Sequence, residues 1–305
     1  MTKWFEQREQ QAGVKRLILT WEIYKRFGEF PVRVIAFCIA FFAYLGGKSQ
    51  RLNSRKYFEI LSNYVNDKSL KPSFVNSFKH FHSYADSLVD KMLAFSGNLP
   101  VEKFQFADSD DKNEMFNVIR EGKGAFFLSS HIGNVEIMRS LFYAKELDVK
   151  PNVNVFLQKN SCEIFNGFLE YIKVETNVEV FPVEEISVDT AVVIKEKLNK
   201  GEIVFMAGDR LSAQYPELYY ETELFAHKVQ FPQGALKFSQ ILECPIFFVV
   251  CAKEGKNFKI HLKKFDFTGS KKEVFKVLQQ EYKDFLEKMT LRYPYQFFNF
   301  YEMFM

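Results

Sequence analysis

Beyond Val101 the chain repeats one rhythm, and that rhythm limits the folds open to it: short apolar runs alternate with segments of helical period. The runs Gly124–Ser129, Asn152–Phe156, Val178–Phe181, Ile203–Met206, Pro245–Cys251 and Phe258–Leu262 have strand length. Around them, Asp110–Glu121, Asn134–Lys145, Ser161–Tyr171, Val188–Lys200, Gln233–Leu242 and Lys271–Thr290 carry apolar residues three and four apart. Strands that alternate with helices are joined by crossovers. The pattern therefore predicts an α/β fold: a mostly parallel, twisted sheet with helices on both faces.

The first hundred residues read differently, as helices without strands. "SRKYFEILSNYVND" and "PSFVNSFKHFHSYADSLVDKMLAFSG" have helical spacing, with Phe74, Phe78, Phe81, Tyr84, Leu88 and Met92 as the expected stripe of the second. The chain thus divides into a helical region over 1–100 and an α/β domain over 101–305, with no repeat, low-complexity tract or Gly/Ser linker. Within the first region, Val34 to Gly47 holds 14 residues without a charge. That is short of the roughly 20 residues of a helical span. Mixed-charge residues precede it, and no small-residue cleavage site follows, so it does not have the pattern of a removable signal peptide. Lys25, Arg26 and Arg33 lie before it and Lys48, Arg51 and Arg55 after. Basic flanks on both sides favour a helix lying in, or dipping into, an anionic leaflet; a buried core helix is the other reading.

Composition removes several classes. The 41 Lys and Arg against 38 Asp and Glu give a net charge of +3, too small to argue for nucleic acid. The 4 cysteines form no CxxC pair, so free thiols are expected rather than a zinc site or disulfides. The 36 Phe and 14 Tyr suit a large core, and equally a surface that meets acyl chains.

The chemistry concentrates at "FFLSSHIGNVE", Phe126 to Glu136. An apolar strand ends in two serines, and His131 follows where a helix begins. In open α/β sheets that edge binds ligands. Glu136 lies five residues beyond His131, about 500° around a straight helix. The two meet only if His131 precedes the helix and the turn folds Glu136 back. A carboxylate on one imidazole nitrogen fixes the tautomer and raises the basicity of the other, which suits removing a proton from an attacking alcohol or amine. No Gly-x-Ser-x-Gly elbow and no HExxH motif occurs.

"HIGNVE" resembles the His-x4-Asp/Glu box of the lysophospholipid and lipid A biosynthesis acyltransferases, the family of the lauroyl and myristoyl transferases. Further blocks follow in the family's order. "GEIVFMAGDR" is similar to its strand ending in Gly-Asp-Arg, and "FPQGALKFSQILECPIFFVV" to its Pro/Gly turn, helix and apolar strand. "RYPYQFFNFY" is similar to its C-terminal Pro-x-Gln-aromatic motif, and the apolar helix and "HFHSYADSLVDKM" to its N-terminal part. The resemblance implies His131 as general base, Glu136 as its orienting partner, and Asp209 and Arg210 at the next strand's end beside the site. It implies substrate contacts from Asn134, Gln158, Lys159, Phe231, Pro232 and Gly234. The family's arginine beside an aromatic residue after the next strand is missing, and Val155-Phe156-Leu157-Gln158-Lys159 stands there. Arg210, held beside Asp209, is expected to supply the positive charge ahead of Lys159, with Gln158 as the alternative, a neutral donor.

The same resemblance implies acyl carrier protein as donor, a lipid acceptor such as a lipid A precursor, no metal or other cofactor, and a place on the cytoplasmic face of the inner membrane. Other glycolipids, amino lipids or polyenes are alternative acceptors. A non-catalytic lipid- or carrier-binding protein on this scaffold, and a thioester hydrolase, are the readings from other classes. His80 and His82 are expected to be structural or surface residues, His227, just before the Pro/Gly turn, to be structural rather than an acceptor contact, and Tyr219-Tyr220 to form a surface loop over the site.

Overall fold

The structure is a computed structural model and describes residues 13–143, 150–174 and 176–305. Four helices come first: α1 (Val14–Phe27), α2 (Glu29–Gly46), α3 (Lys48–Tyr64) and α4 (Phe74–Phe95). Ser73 caps α4, its hydroxyl accepting from the Asn76 amide at 3.0 Å. Only one row of α2 is buried, Val32, Ala36, Ala40 and Tyr44, at the four-residue spacing that lays a single helix face against α4. The core row of α4 differs from the expected stripe. Ser77, His80, Phe81, Ala85, Val89 and Met92 are buried, while Phe74 and Leu88 are exposed. The Phe74 and Phe78 rings instead pack edge-on against Tyr44 of α2, at centroid distances of 5.2 and 6.0 Å.

The remainder alternates as the sequence predicts. In order come β1 (Phe104–Phe106), α5 (Ser109–Arg120), β2 (Ala125–Ser129), β3 (Val153–Leu157), α6 (Lys159–Ile172), β4 (Val178–Pro182), α7 (Val188–Asn199) and β5 (Ile203–Ala207). A hairpin, β6 (Tyr219–Leu224) and β7 (His227–Pro232), precedes α8 (Gly234–Ile241), β8 (Ile246–Glu254), β9 (Asn257–Phe265) and α9 (Lys271–Arg292). The sheet has 7 strands in the order β1-β9-β8-β2-β5-β3-β4, and only the β8–β9 pair is antiparallel. β2 sits at its centre with all five residues buried, as a strand covered on both faces requires. Phe126 and Leu128 enter one core with Val204, Met206 and Phe248; Ala125 and Phe127 enter the other with Ile203, Phe205 and Phe247. The N-terminal helices have no core of their own. Tyr57, Phe58 and Leu61 of α3 join the first cluster, and Val32, Ala36 and Ala40 of α2 join the second.

Three elements depart from expectation. β1 is a three-residue edge strand, too short to show alternation. Tyr219 and Tyr220 open β6 of a hairpin rather than a surface loop. Its turn puts Phe225 and Ala226 at φ 54° and 58°, the pair of positive angles usually signalled by Asn-Gly. A fully buried Phe225 holds that turn through packing, so no local signal marks it. The helix expected over Asn134–Lys145 is 3₁₀ at Val135–Tyr143, and its expected end at Lys145 lies outside the described residues.

Candidate active site

β2 and β5 run parallel and in register, with Ser129 opposite Ala207. Residues two beyond that pair meet at the carboxyl edge of the sheet, and they are His131 and Asp209. Imidazole Nδ1 lies 2.8 Å from Asp209 Oδ1, and the His131 backbone N–H donates to Oδ2 at 3.0 Å. The carboxylate that orients His131 is therefore Asp209, 78 residues away in sequence, and not Glu136. Glu136 sits in the 3₁₀ segment facing α4, where its Oε1 lies 2.5 Å from Lys91 Nζ.

Asp209 is fully buried, which by itself favours its neutral form. The opposing interactions are stronger. The charge His131 carries when its ring is protonated, its hydrogen bonds, and the Arg210 guanidinium nearby hold the carboxyl down to about 2. An ionised carboxylate only accepts, so Nδ1 carries the ring proton and Nε2 keeps the lone pair. The His131 side chain is 34% exposed, and Nε2 meets no partner among the described residues. The result is a base nitrogen facing outward from a fixed ring.

The chain's end holds this pair in place. Phe298 N–H donates to the His131 carbonyl at 2.8 Å, and Gly133 N–H to the Gln296 carbonyl at 2.8 Å. Asn299 Nδ2 donates to Asp209 Oδ2 at 3.0 Å, while its Oδ1 accepts from Arg210 Nε at 2.9 Å. Arg210 also donates to the Phe298 carbonyl at 2.7 Å. Tyr282 from α9 donates to the Ser129 carbonyl at 2.6 Å and fixes the end of β2. On the other side Gly133 passes against β8, and Asn134 N–H donates to the Cys251 carbonyl at 2.7 Å. Apart from a lone polar residue in the aromatic run "FFNFY", nothing in the sequence pattern points to Asn299 or Tyr282 as supports of the site.

The remaining expected contacts fall elsewhere. Asn134 anchors the loop, its Nδ2 donating to the Ser87 carbonyl of α4 at 2.8 Å. Gln158 and Lys159 do lie at the carboxyl edge, after β3, but Lys159 Nζ is exposed and pairs with Glu185 at 3.0 Å. That pairing leaves Arg210 as the cation beside the dyad. Phe231 and Pro232 are buried within the hairpin and core rather than at an open surface. Gly234 opens α8 with free space around its Cα. His227 is bonded to its own turn, Nδ1 to the Phe225 carbonyl at 2.8 Å. A cleft of about 600 Å³ lined by Asp110, Asp111 and Lys123 lies at the opposite edge of the sheet, away from His131. Among the described residues, no three His, Cys, Asp or Glu side chains converge as a metal site requires.

His80 supports this C-terminal segment, Gln296 to Asn299, from beneath. It is fully buried, stacked on Phe300 at 4.2 Å. Nε2 lies 2.7 Å from the Phe297 carbonyl and so carries the proton, leaving Nδ1 to accept from Ser54 at 3.1 Å. Burial lowers its pKa from 6.5 to about 4. The unfolded chain binds that proton more readily, so the stability His80 contributes is complete above pH 6.5 and is lost as pH falls through 4. The separation corresponds to about 3 kcal/mol. Urea unfolding at pH 7, 5.5 and 4.5 is expected to show this decline, and His80→Gln to flatten it. An unchanged pH slope in that variant contradicts the assignment.

In comparisons with known proteins, the chain matches no family model and no curated sequence.

Proposed function

We propose that this protein transfers an acyl group from a thioester, carried by acyl carrier protein, to a hydroxyl of a lipid acceptor at the cytoplasmic face of the inner membrane. The observation that carries the proposal is the outward Nε2 of His131, fixed by a buried, ionised Asp209 at the carboxyl edge of the sheet. Nε2 removes the acceptor's hydroxyl proton as its oxygen attacks the thioester carbonyl. The C–S bond then breaks, and the imidazolium returns the proton to the departing sulfur. Asp209 keeps the imidazolium paired throughout. The Arg210 guanidinium contributes positive potential where the oxyanion develops. The motif resemblance supports a lipid A precursor as acceptor, with other glycolipids, amino lipids and polyenes as the variants on that theme.

Incubating the full chain with an acyl-carrier thioester and candidate lipids tests this directly. Acyl-lipid product is expected, and His131→Ala is expected to lower turnover by roughly 10²-fold or more with the fold intact. Lys159→Ala should change it less than about threefold, because its charge is engaged by Glu185 in a solvent-exposed pair. Thioester loss at the same rate without lipid would make the protein a hydrolase. No His131-dependent turnover with any donor would leave a binding protein.

A further inference from the structure

The N-terminal helices carry a second surface unconnected with the dyad. α2 buries one row on α4, and nearly everything else it presents is apolar and exposed: Phe30 at 79%, Ile39 at 58%, Phe42 at 69% and Leu45 at 52%. Cys38 is exposed among them. Soluble surfaces rarely leave so continuous an apolar face uncovered. Charge indicates what covers it. Residues 13–56 hold nine basic side chains against two acidic ones, a net of +7, while the rest of the chain, with 32 basic and 36 acidic, is net −4. The positive charge of the protein is concentrated on the helices that present the apolar face.

By length and composition α2 is one helix that passes for a membrane span. Its attachments argue otherwise. Arg33, in its second turn, is bonded to Glu29 at 2.7 Å, to Asp90 at 2.5 Å and to Asp86. Lys253 of β8 shares the same two aspartates at 2.6 and 2.9 Å. Arg51 of α3 closes the other end, donating to the Leu45 carbonyl at 2.5 Å. To cross a bilayer, α2 would have to leave α4 and carry Arg33 out of this partly buried ion cluster. The charge-free stretch beyond Arg33, 13 residues to Gly46, is about 20 Å long, against about 30 Å of hydrocarbon.

We infer that α2 seats the protein on one leaflet of an anionic bilayer, lying along the interface with Phe30, Ile39, Phe42 and Leu45 in the acyl region and the basic residues of α1 and α3 at the headgroups. The inference deepens the proposed function, which takes its acceptor from a membrane, but rests on these helices alone.

Cys38 makes the test available in the full chain. Cys162 and Cys251 are buried, so in a Cys244→Ala background a polarity-sensitive maleimide dye marks α2 alone. With vesicles of three parts phosphatidylcholine to one part phosphatidylglycerol, the protein is expected to float with the lipid. The Cys38 dye should shift to the blue, and be quenched more by nitroxides near the headgroup than by nitroxides at the chain end. Phe42→Asp with Ile39→Asp should weaken vesicle binding at least tenfold, and binding to pure phosphatidylcholine should be weaker than to the mixture. Three results overturn the inference: no flotation, strongest quenching from the bilayer centre (a spanning helix), or a lipid-free dimer that the Asp variants dissociate. Acyl transfer from a water-soluble acyl thioester to a water-soluble alcohol, read as ester product in the same samples, separates the two claims. Lost binding with His131-dependent turnover removes only the docking surface; intact binding without turnover removes only the acyltransferase.

Discussion

Asp209→Asn is expected to lower acyl transfer by roughly 10³- to 10⁴-fold, while Glu136→Gln costs less than about threefold. The two carboxylates are alike in sequence terms, since each belongs to a block that resembles the acyltransferases. Their surroundings differ. Asp209 takes Nδ1 of His131 at 2.8 Å and is ionised inside the protein; an amide there presents a donor to a ring nitrogen that must itself donate. The ring then turns its lone pair toward residue 209, and Nε2 carries the proton, which is the wrong tautomer for a base. Losing the ionised partner also leaves the developing imidazolium uncompensated. Glu136 bonds to Lys91, and both side chains are partly solvated, so its neutral form gives up only a modest ion pair. Circular dichroism and a melting curve establish that Asp209→Asn is folded before rates are compared. If Glu136→Gln is the severe variant and Asp209→Asn the mild one, the dyad described above is wrong.

Gly133→Ala is expected to cost at least about 3 kcal/mol of stability, or to yield no folded protein. Gly133 has φ +67°, and a Cβ built on it would stand 2.2 Å from the Cys251 carbonyl oxygen and 2.8 Å from its carbon. Those atoms belong to the central part of the sheet and accept the Asn134 amide, so neither the loop nor β8 can retreat without breaking that bond. Gly97→Ala separates the two costs. It has a similar φ of +72° with nothing within 4 Å, so it pays only for the left-handed backbone, on the order of 1 kcal/mol. Chemical denaturation of both variants gives the comparison. Equal losses at the two positions would show that the contact with β8 yields. Because the loop carries His131, any folded Gly133→Ala protein should also be far less active than its stability alone accounts for.

Local pattern determined the elements. A five-residue apolar strand or a helix with a three-and-four spacing is defined by its own residues, so the six principal strands and the long helices were legible, often to within two residues. The position of His131 followed from the same rule, because a strand end that meets a turn is a local event. The turn residue Gly133 was legible as well, though what it approaches was not.

What the sequence could not show is which strand lies beside which. The order β2-β5-β3 brings His131 to Asp209, across a register set by hydrogen bonds between segments far apart in the chain. The His-x4-Asp/Glu resemblance and a turn expected to fold back pointed to Glu136; the 3₁₀ segment after Gly133 carries it to Lys91 instead. The return of the C-terminal segment over the site, which gives Asn299 its two bonds and removes Phe297 from solvent, is likewise a product of packing. The N-terminal helices divide in the same way. The sequence by itself determined that α2 is apolar, because side-chain chemistry is local. Only the tertiary structure decided that one row of it is buried on α4 and that Arg33 is locked to Asp86 and Asp90, because burial is a property of pairs of surfaces.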